Sequence, residues 1–265
     1  MAKSATGEGI LYLWNIRMDN NKLHVFGLHA VESLLTKQPQ RVQQLVIQKE
    51  RQDQKILALI ELAKQQKIKI QLVSRQELDH ITNDAVHQGI VAFCEKAKVY
   101  HEGDLEKLIE ETPKPFLLIL DGIQDPHNLG ACLRSADAAG VHAVIVPKDK
   151  SVGLTPAVSK VACGAAETVP FIQVTNLART MRYLKDQGIW LFGAAGEADK
   201  SLYQADLSGS VGIVLGAEGQ GLRRLTREHC DLLLNIPMQG SVSSLNVSVA
   251  TGVFLFEALR QRKNF

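Results

Sequence analysis

Residues 116–146 read FLLILDGIQDPHNLGACLRSADAAGVHAVIV, and this stretch decides the fold. Phe116–Leu120 is apolar without a break, the pattern of a parallel strand covered on both faces. A turn-rich loop containing Pro126 follows. Leu129–Ala139 then reads as a helix ending at Gly140, a residue suited to the left-handed conformation that closes helices. A second apolar run, Ala143–Val146, comes next.

The same alternation continues toward the C-terminus. Helices are expected at Pro156–Cys163, Leu177–Asp186, Leu222–His229 and Leu245–Gln261, and strands at Ile189–Phe192, Val211–Leu215 and Leu232–Ile236. Such a series predicts an α/β fold, an open parallel sheet with helices on both faces, over residues 114–265. In the other direction, Glu95–Thr112 is charged and mostly helix-compatible and closes with Pro113 and Pro115, which discourage helix continuation, so the linker is placed at 96–113. Residues 23–95 read as a small α/β domain. Its helices are expected at Leu28–Leu35, Lys55–Gln65 and Arg75–Ile81, and its strands at Gln44–Gln48, Ile68–Val73 and Ile90–Phe93. Residues 1–22 show no steady period and are read as an extension or tail.

Composition narrows the function classes. With 45% hydrophobic and 22% charged residues among 265, the chain is ordinary globular protein and long enough for two cores. It lacks the roughly 20 uncharged apolar residues a membrane helix needs and any secretory leader pattern, so a soluble cytoplasmic protein without membrane partners is expected. The net charge of +2 is too small to argue for nucleic-acid binding by itself. Cys94, Cys132, Cys163 and Cys230 have no CxxC spacing, which points to neither zinc nor disulfides; they read as small buried hydrophobes.

In open parallel sheets ligands sit beyond the carboxyl ends of the strands, which directs attention to three loops. In DGIQDPHNLGACLR, Asp121–Arg134, Asn128 can cap the helix and Arg134 can hold a phosphate with its planar fork of donors, or the pair is simply a cap and a surface arginine. In LGAEGQGLRR, Leu215–Arg224, three glycines allow close backbone approach. Their GxxGxG spacing is not the GxGxxG dinucleotide fingerprint, which argues against a nicotinamide enzyme. Glu218 can accept a proton or hydrogen bonds, or be merely solvated. Arg223, Arg224 and Arg227 can face RNA or line a solvated helix. In Ile236–Leu259, Ser244 or Asn246 can cap the last helix, whose face of Val249, Val253 and Phe256 suits a core or a subunit interface.

NLGACLRSADAAGV, IVLGAEGQGL and LNIPMQGSVSSLNVSVATGVFLFE, in that order and spacing, resemble the three motifs of the SpoU/TrmH (SPOUT) family of RNA ribose 2′-O-methyltransferases. The likeness extends through HVFGLHAVESLL and DAVHQGIVAF and covers nearly everything from Val25 to Arg262. The resemblance implies a parallel-sheet methyltransferase domain with a deep trefoil knot, a small N-terminal RNA-binding domain of ribosomal-protein type, and a homodimer formed through the C-terminal domain. It implies S-adenosylmethionine as cofactor, without a metal, contacted around Leu215, Gly216, Ile236, Met238, Ser243 and Leu245. It makes Asn128, Arg134, Glu218, Ser244 and Asn246 catalytic or substrate-placing residues, with Arg134 serving the site of the other subunit. The branch it most resembles methylates a guanosine of 23S rRNA. A tRNA, another rRNA nucleotide or a non-catalytic RNA-binding role are the alternatives.

For RNA capture, residues 41–75 carry Arg41, Lys49, Arg51, Lys55, Lys64, Lys67, Lys69 and Arg75 against only Glu50, Asp53 and Glu61. Such clustering can form a phosphate-binding face or decorate solvent-facing helices. The ribosomal-protein resemblance favours the first.

Overall fold

The strands sort into two sheets that belong to separate units, Met1–Ala97 and Lys98–Phe265. The computed structural model describes residues 22–51, 53–95 and 99–263. The first unit runs β1 (Lys22–Phe26), α1 (Leu28–Lys37), β2 (Val42–Gln48), α2 (Gln54–Gln65), β3 (Lys69–Val73), α3 (Arg75–Thr82) and β4 (Ile90–Glu95). Its sheet has the order β1-β4-β2-β3; β4 is antiparallel to both neighbours and β3 is parallel to β2. Local chemistry sets the helix starts. Asp53 accepts from the Ile56 N–H at 3.3 Å, and Ser74 with Glu77 forms a reciprocal capping box. Strand β1 was not expected; it owes its form to pairing with β4, far along the chain, and not to a local pattern. The remainder of the expected extension lies outside the described residues.

Two members of the basic stretch are structural. Arg41 is buried and donates through Nε and Nη2 to the Glu95 carbonyl at 3.2 and 2.9 Å. Arg51 donates to the Gln88 carbonyl at 2.6 Å and pairs with Asp53. Lys55, Lys67 and Lys69 remain exposed.

The second unit begins with α4 (Glu102–Glu111) and β5 (Phe116–Asp121), then α5 (Pro126–Ala139), β6 (Ala143–Pro147), α6 (Pro156–Ala162), α7 (Ala165–Thr168) and β7 (Phe171–Val174). It continues through α8 (Leu177–Asp186), β8 (Trp190–Ala194), β9 (Lys200–Ser201), β10 (Val211–Gly216), α9 (Arg224–His229), β11 (Leu232–Asn235) and α10 (Val247–Lys263). All pairings in the seven-stranded sheet, order β7-β6-β5-β10-β8-β11-β9, are parallel. Side-chain alternation builds a core on each face. Phe116, Leu118 and Leu120 of β5 join a layer with α5, α6 and α10, whereas Leu117 and Ile119 join one with α4 and α8.

Three expectations are revised here. The stretch 96–113, expected to be a helix-compatible linker, contains α4, whose Leu105 and Ile109 are buried in the second unit's core, so the helix is part of that unit and not a connection. Asn128 is not the cap of α5. Asp125 accepts from the His127 N–H at 3.0 Å with Pro126 at the first helical position, which places Asn128 inside the first turn. Cys163 is exposed, unlike the buried Cys94 and Cys132. The four-residue β7 and two-residue β9 are too short to show a period.

Helices α5 and α6 touch at Gly130, where a Cβ would stand 2.7 Å from Val161 Cβ and 2.9 Å from the Val158 carbonyl. Gly130→Ala forces these helices apart and is expected to cost about 1–3 kcal/mol, despite alanine's better helix propensity. A lower melting temperature in thermal denaturation checks this, and an unchanged or raised one contradicts it.

Candidate functional site

Strand β5 leads through α5 to β6 on one side, while its other neighbour β10 leads through α9 to β11 on the opposite side. The loops leaving β5 and β10 therefore part at a topological switch point, where parallel sheets open a crevice. A cleft of about 300 Å³ lies there, lined by Gly122, Gln124, Asp125 and Asn128 from one loop, Ala217, Glu218 and Gln220 from the other, and Val247.

The β10 loop turns back on itself. Gly221 N–H donates to the Ala217 carbonyl at 2.8 Å, and a Cβ on Gly216 would stand 2.0 Å from the Gly221 carbonyl, so no other residue fits at 216. Gly219 and Gly221 take φ of +77° and +65°. Asp121, fully buried at the end of β5, anchors the loop's far end: it accepts from Arg223 N–H at 3.1 Å and Arg223 Nε at 2.6 Å. An acidic residue closing a wholly apolar run is the signal that could have revealed this pair, since a buried carboxylate needs a partner. Arg223, Arg224 and Arg227, open to two readings as facing RNA or lining a solvated helix, each take a carboxylate partner. Arg223 holds Asp121, Arg224 pairs with Glu228 at 2.6 Å, and Arg227 pairs with Glu197.

Glu218 is thereby brought to two amides. Asn246 Nδ2 donates to Glu218 Oε2 at 3.2 Å and to Asn128 Oδ1 at 3.0 Å, and Asn128 Nδ2 reaches Glu218 Oε2 at 3.4 Å. Asn246 also caps α10, its Oδ1 accepting from the Ser248 N–H at 2.9 Å and Ser248 Oγ at 2.6 Å. Those two donors fix which way the amide faces. Ser248, which sequence reasoning missed, thus stands behind the cluster. Three segments far apart in sequence converge on one carboxylate whose Oε1 is not taken up by either amide.

Ser244 and Arg134 do not join this contact. Ser244 is exposed in the loop before α10; Arg134 is exposed on α5, about 120° round the helix axis from Asn128. The other expected residues gather round the end of β8. Leu215 and Gly216 end β10 on one side of it, and Ile236 and Met238 follow β11 on the other. The loops after β8 and β11 also meet, since a Cβ on Gly196 would lie 3.9 Å from the Ser243 carbonyl. Leu245 is partly buried just before α10. Beneath the site, burial pushes the Cys132 thiol up to about 11, with Sγ 3.3 Å from Thr251 Oγ1, so this cysteine packs α5 against α10 as a neutral group.

This geometry defines a class: an α/β domain with a cleft at the carboxyl edge of a parallel sheet, in a chain that also carries a separate α/β unit. Residues 115–256 match the model of the SpoU rRNA Methylase family, and residues 24–100 match that of the RNA 2′-O ribose methyltransferase substrate-binding domain. The chain belongs to the SpoU rRNA methylase family. It is 60% identical over 238 residues to the 23S rRNA (guanosine-2′-O-)-methyltransferase RlmB of Escherichia coli (strain K12), covering 90% of this chain and 98% of that one. To the protein of the same name from Shewanella oneidensis it is 61% identical over 240 residues, covering 91% and 98%. Its fold matches the SpoU methyltransferase AviRb from Streptomyces viridochromogenes in complex with AdoMet, with a TM-score of 0.71 at 22% identity, covering 97% of this chain and all of that one.

The Asp121–Arg223 pair yields an asymmetric prediction. Arg223→Met strands a carboxylate in the core and is expected to cost about 3–5 kcal/mol. Asp121→Asn leaves an arginine that can turn to solvent, and is expected to cost about 1–3 kcal/mol. Urea denaturation of both variants checks the order, and equal losses would contradict it.

Proposed function

We propose that this chain transfers a methyl group from S-adenosylmethionine to the ribose 2′-hydroxyl of a guanosine in 23S rRNA. The reading is carried by the 60% identity that spans 98% of the Escherichia coli RlmB chain. The convergence of Asn128, Glu218 and Asn246 over the switch-point cleft supports it.

The chain's residues suit the cofactor. The loops ending β10 and β11 offer apolar walls at Leu215, Ile236 and Leu245, and Gly216 keeps a side chain out of the tightest turn. The loop after β11, with half-buried Met238 and exposed Ser243, would complete the pocket. The bound cofactor supplies an electrophilic methyl group on a sulfonium. The fold shared with AviRb, which binds AdoMet, is compatible with this placement.

Opposite charges on donor and acceptor diminish in the transition state of such a displacement, so alignment in a dry cleft matters more than strong polarisation. Orientation alone can supply up to about 7–11 kcal/mol in favourable cases. Glu218, held by two amides, positions the nucleotide through its remaining oxygen lone pairs. A guanidinium with a pKa above about 12 is a poor base, so Arg134 acts by gripping a substrate phosphate and supporting the developing oxyanion. The proton leaves to water or a nearby acceptor. Ser244 contributes from the loop preceding α10.

The chain works as a homodimer in this reading. Val249 and Phe256 are 52% and 49% exposed on a helix whose Phe254, Leu255 and Ala258 are buried, and this outward stripe suits a second copy. Arg134, turned away from its own cluster, then serves the partner's cleft. We also infer that the segment joining β10 to α10 is threaded as the family's trefoil knot. The first unit captures rRNA through Lys55, Lys67 and Lys69, and the enzyme acts in the cytoplasm.

Incubation with labelled methyl donor and 23S rRNA fragments, followed by nucleoside analysis, is expected to give 2′-O-methylguanosine. A methylated base, or a product confined to tRNA, would refute the assignment. In the same assay Arg134→Lys is expected to lose at least about tenfold in kcat/KM, because an ammonium cannot reproduce the bidentate grip. Full activity with unaltered RNA affinity would exclude that role.

A further inference from the structure

The rim of the cleft is acidic. Asp125 and Glu218 line it, both exposed, and Asp149 is exposed on the neighbouring loop after β6. An RNA strand brings a negative charge with every phosphate, so such a rim repels its own substrate unless cations offset it. Several cations of this unit are occupied: Arg179 with Glu102, Lys185 with Asp231, and Arg223, Arg224 and Arg227 as described above.

Lys148 and Lys150, on the loop that abuts the cleft wall, are among those left without such a partner. They flank Asp149, both are exposed, and neither has a carboxylate partner within 4.0 Å among the described residues. Their loop is held in place. Lys148 N–H donates to the Val174 carbonyl at 2.8 Å, and Val152 N–H donates at 2.9 Å to the carbonyl of Ile123, a residue of the cleft wall. A Cβ on Gly122 would lie 3.9 Å from the Lys150 carbonyl, so the loop abuts that wall. Lys150 adopts φ of +60°, a conformation uncommon for lysine, and Ser151 beside it buries a hydroxyl with no hydrogen-bond partner among the described residues. The loop is tied down at both ends while its cations stay free, an arrangement its own packing does not call for.

We propose that Lys148 and Lys150 form a phosphate-binding edge of the catalytic unit, which grips the RNA backbone beside the methylated ribose. This rests on the reading that the substrate is RNA. A phosphate lies within a few ångströms of any ribose 2′-hydroxyl, so cations on the cleft rim act on the target nucleotide's neighbours. The edge adds a second, local hold to the one provided by the first unit.

The test uses the full chain, a fluorescent 23S rRNA fragment, and binding by anisotropy from low to high salt, with methyl transfer followed in parallel. Lys148→Ala/Lys150→Ala is expected to weaken RNA binding about 5- to 30-fold near physiological salt and to shallow the log–log salt slope by about 1–2. S-adenosylmethionine affinity should not move. The double arginine variant should restore both binding and slope, and Lys107→Ala, an exposed helix lysine paired with Glu111, should leave both as they are. An unchanged slope, or a loss falling on kcat or cofactor affinity alone, overturns the proposal. Absence of any methylated ribose with the unmodified chain would instead defeat the function assigned above, and the slope would still report on the two lysines.

Discussion

The amide of Asn246 is the contact on which the site depends. It donates to Asn128 and Glu218 from one end and accepts from the first turn of α10 at the other. Each bond is modest, worth about 1 kcal/mol or somewhat more where the carboxylate takes part. Together they convert three independent loop ends into one rigid arrangement, and rigidity is what an alignment-limited displacement requires. Because the helix start orients the amide, the geometry of the cluster is set by secondary structure.

Below that contact, the parallel sheet does the placing. Strands β5 and β10 are adjacent and in register from Val211 opposite Phe116 to Gly216 opposite Asp121, so their exits lie side by side. The buried Asp121 then turns a neighbour in the sheet into a fixed point for the glycine loop, by way of Arg223. The charge is stable in the core only because that arginine supplies both a backbone and a side-chain donor. A cleft with a well-defined wall follows from two backbone ladders and one ion pair.

Much of this was legible in the residues. Phe116–Leu120 and Val211–Leu215 read as parallel strands because both of their faces are covered, and α8 was placed correctly because its apolar positions recur at helical spacing. Five short sequence stretches carried the family resemblance, and with it the residues that meet at the cleft. What escaped was set by partners distant in sequence. β1 exists through β4, and Arg41 through a carbonyl on the same strand. The cap of α5 was misplaced because Asp125 and Asn128 are both good caps, and only the chain path after β5 decides between them. Arg134 shows a different limit: a residue read as part of the site by motif stands apart from the Asn128–Glu218–Asn246 cluster, exposed on another side of α5.

Helix α10 is fastened at both extremities. Its start holds the Asn246 amide; at its end Arg262 lies over the Phe116 ring with its guanidinium carbon 5.0 Å from the centroid and donates to the Lys114 carbonyl at 2.7 Å, and Gln261 donates to the Ala205 carbonyl at 3.1 Å. Its 17 residues span about 25 Å, so the helix is a strut braced against the opposite rim of the sheet. Because one continuous helix joins the two ends, the position of the Asn246 amide is referenced to the opposite edge of the sheet.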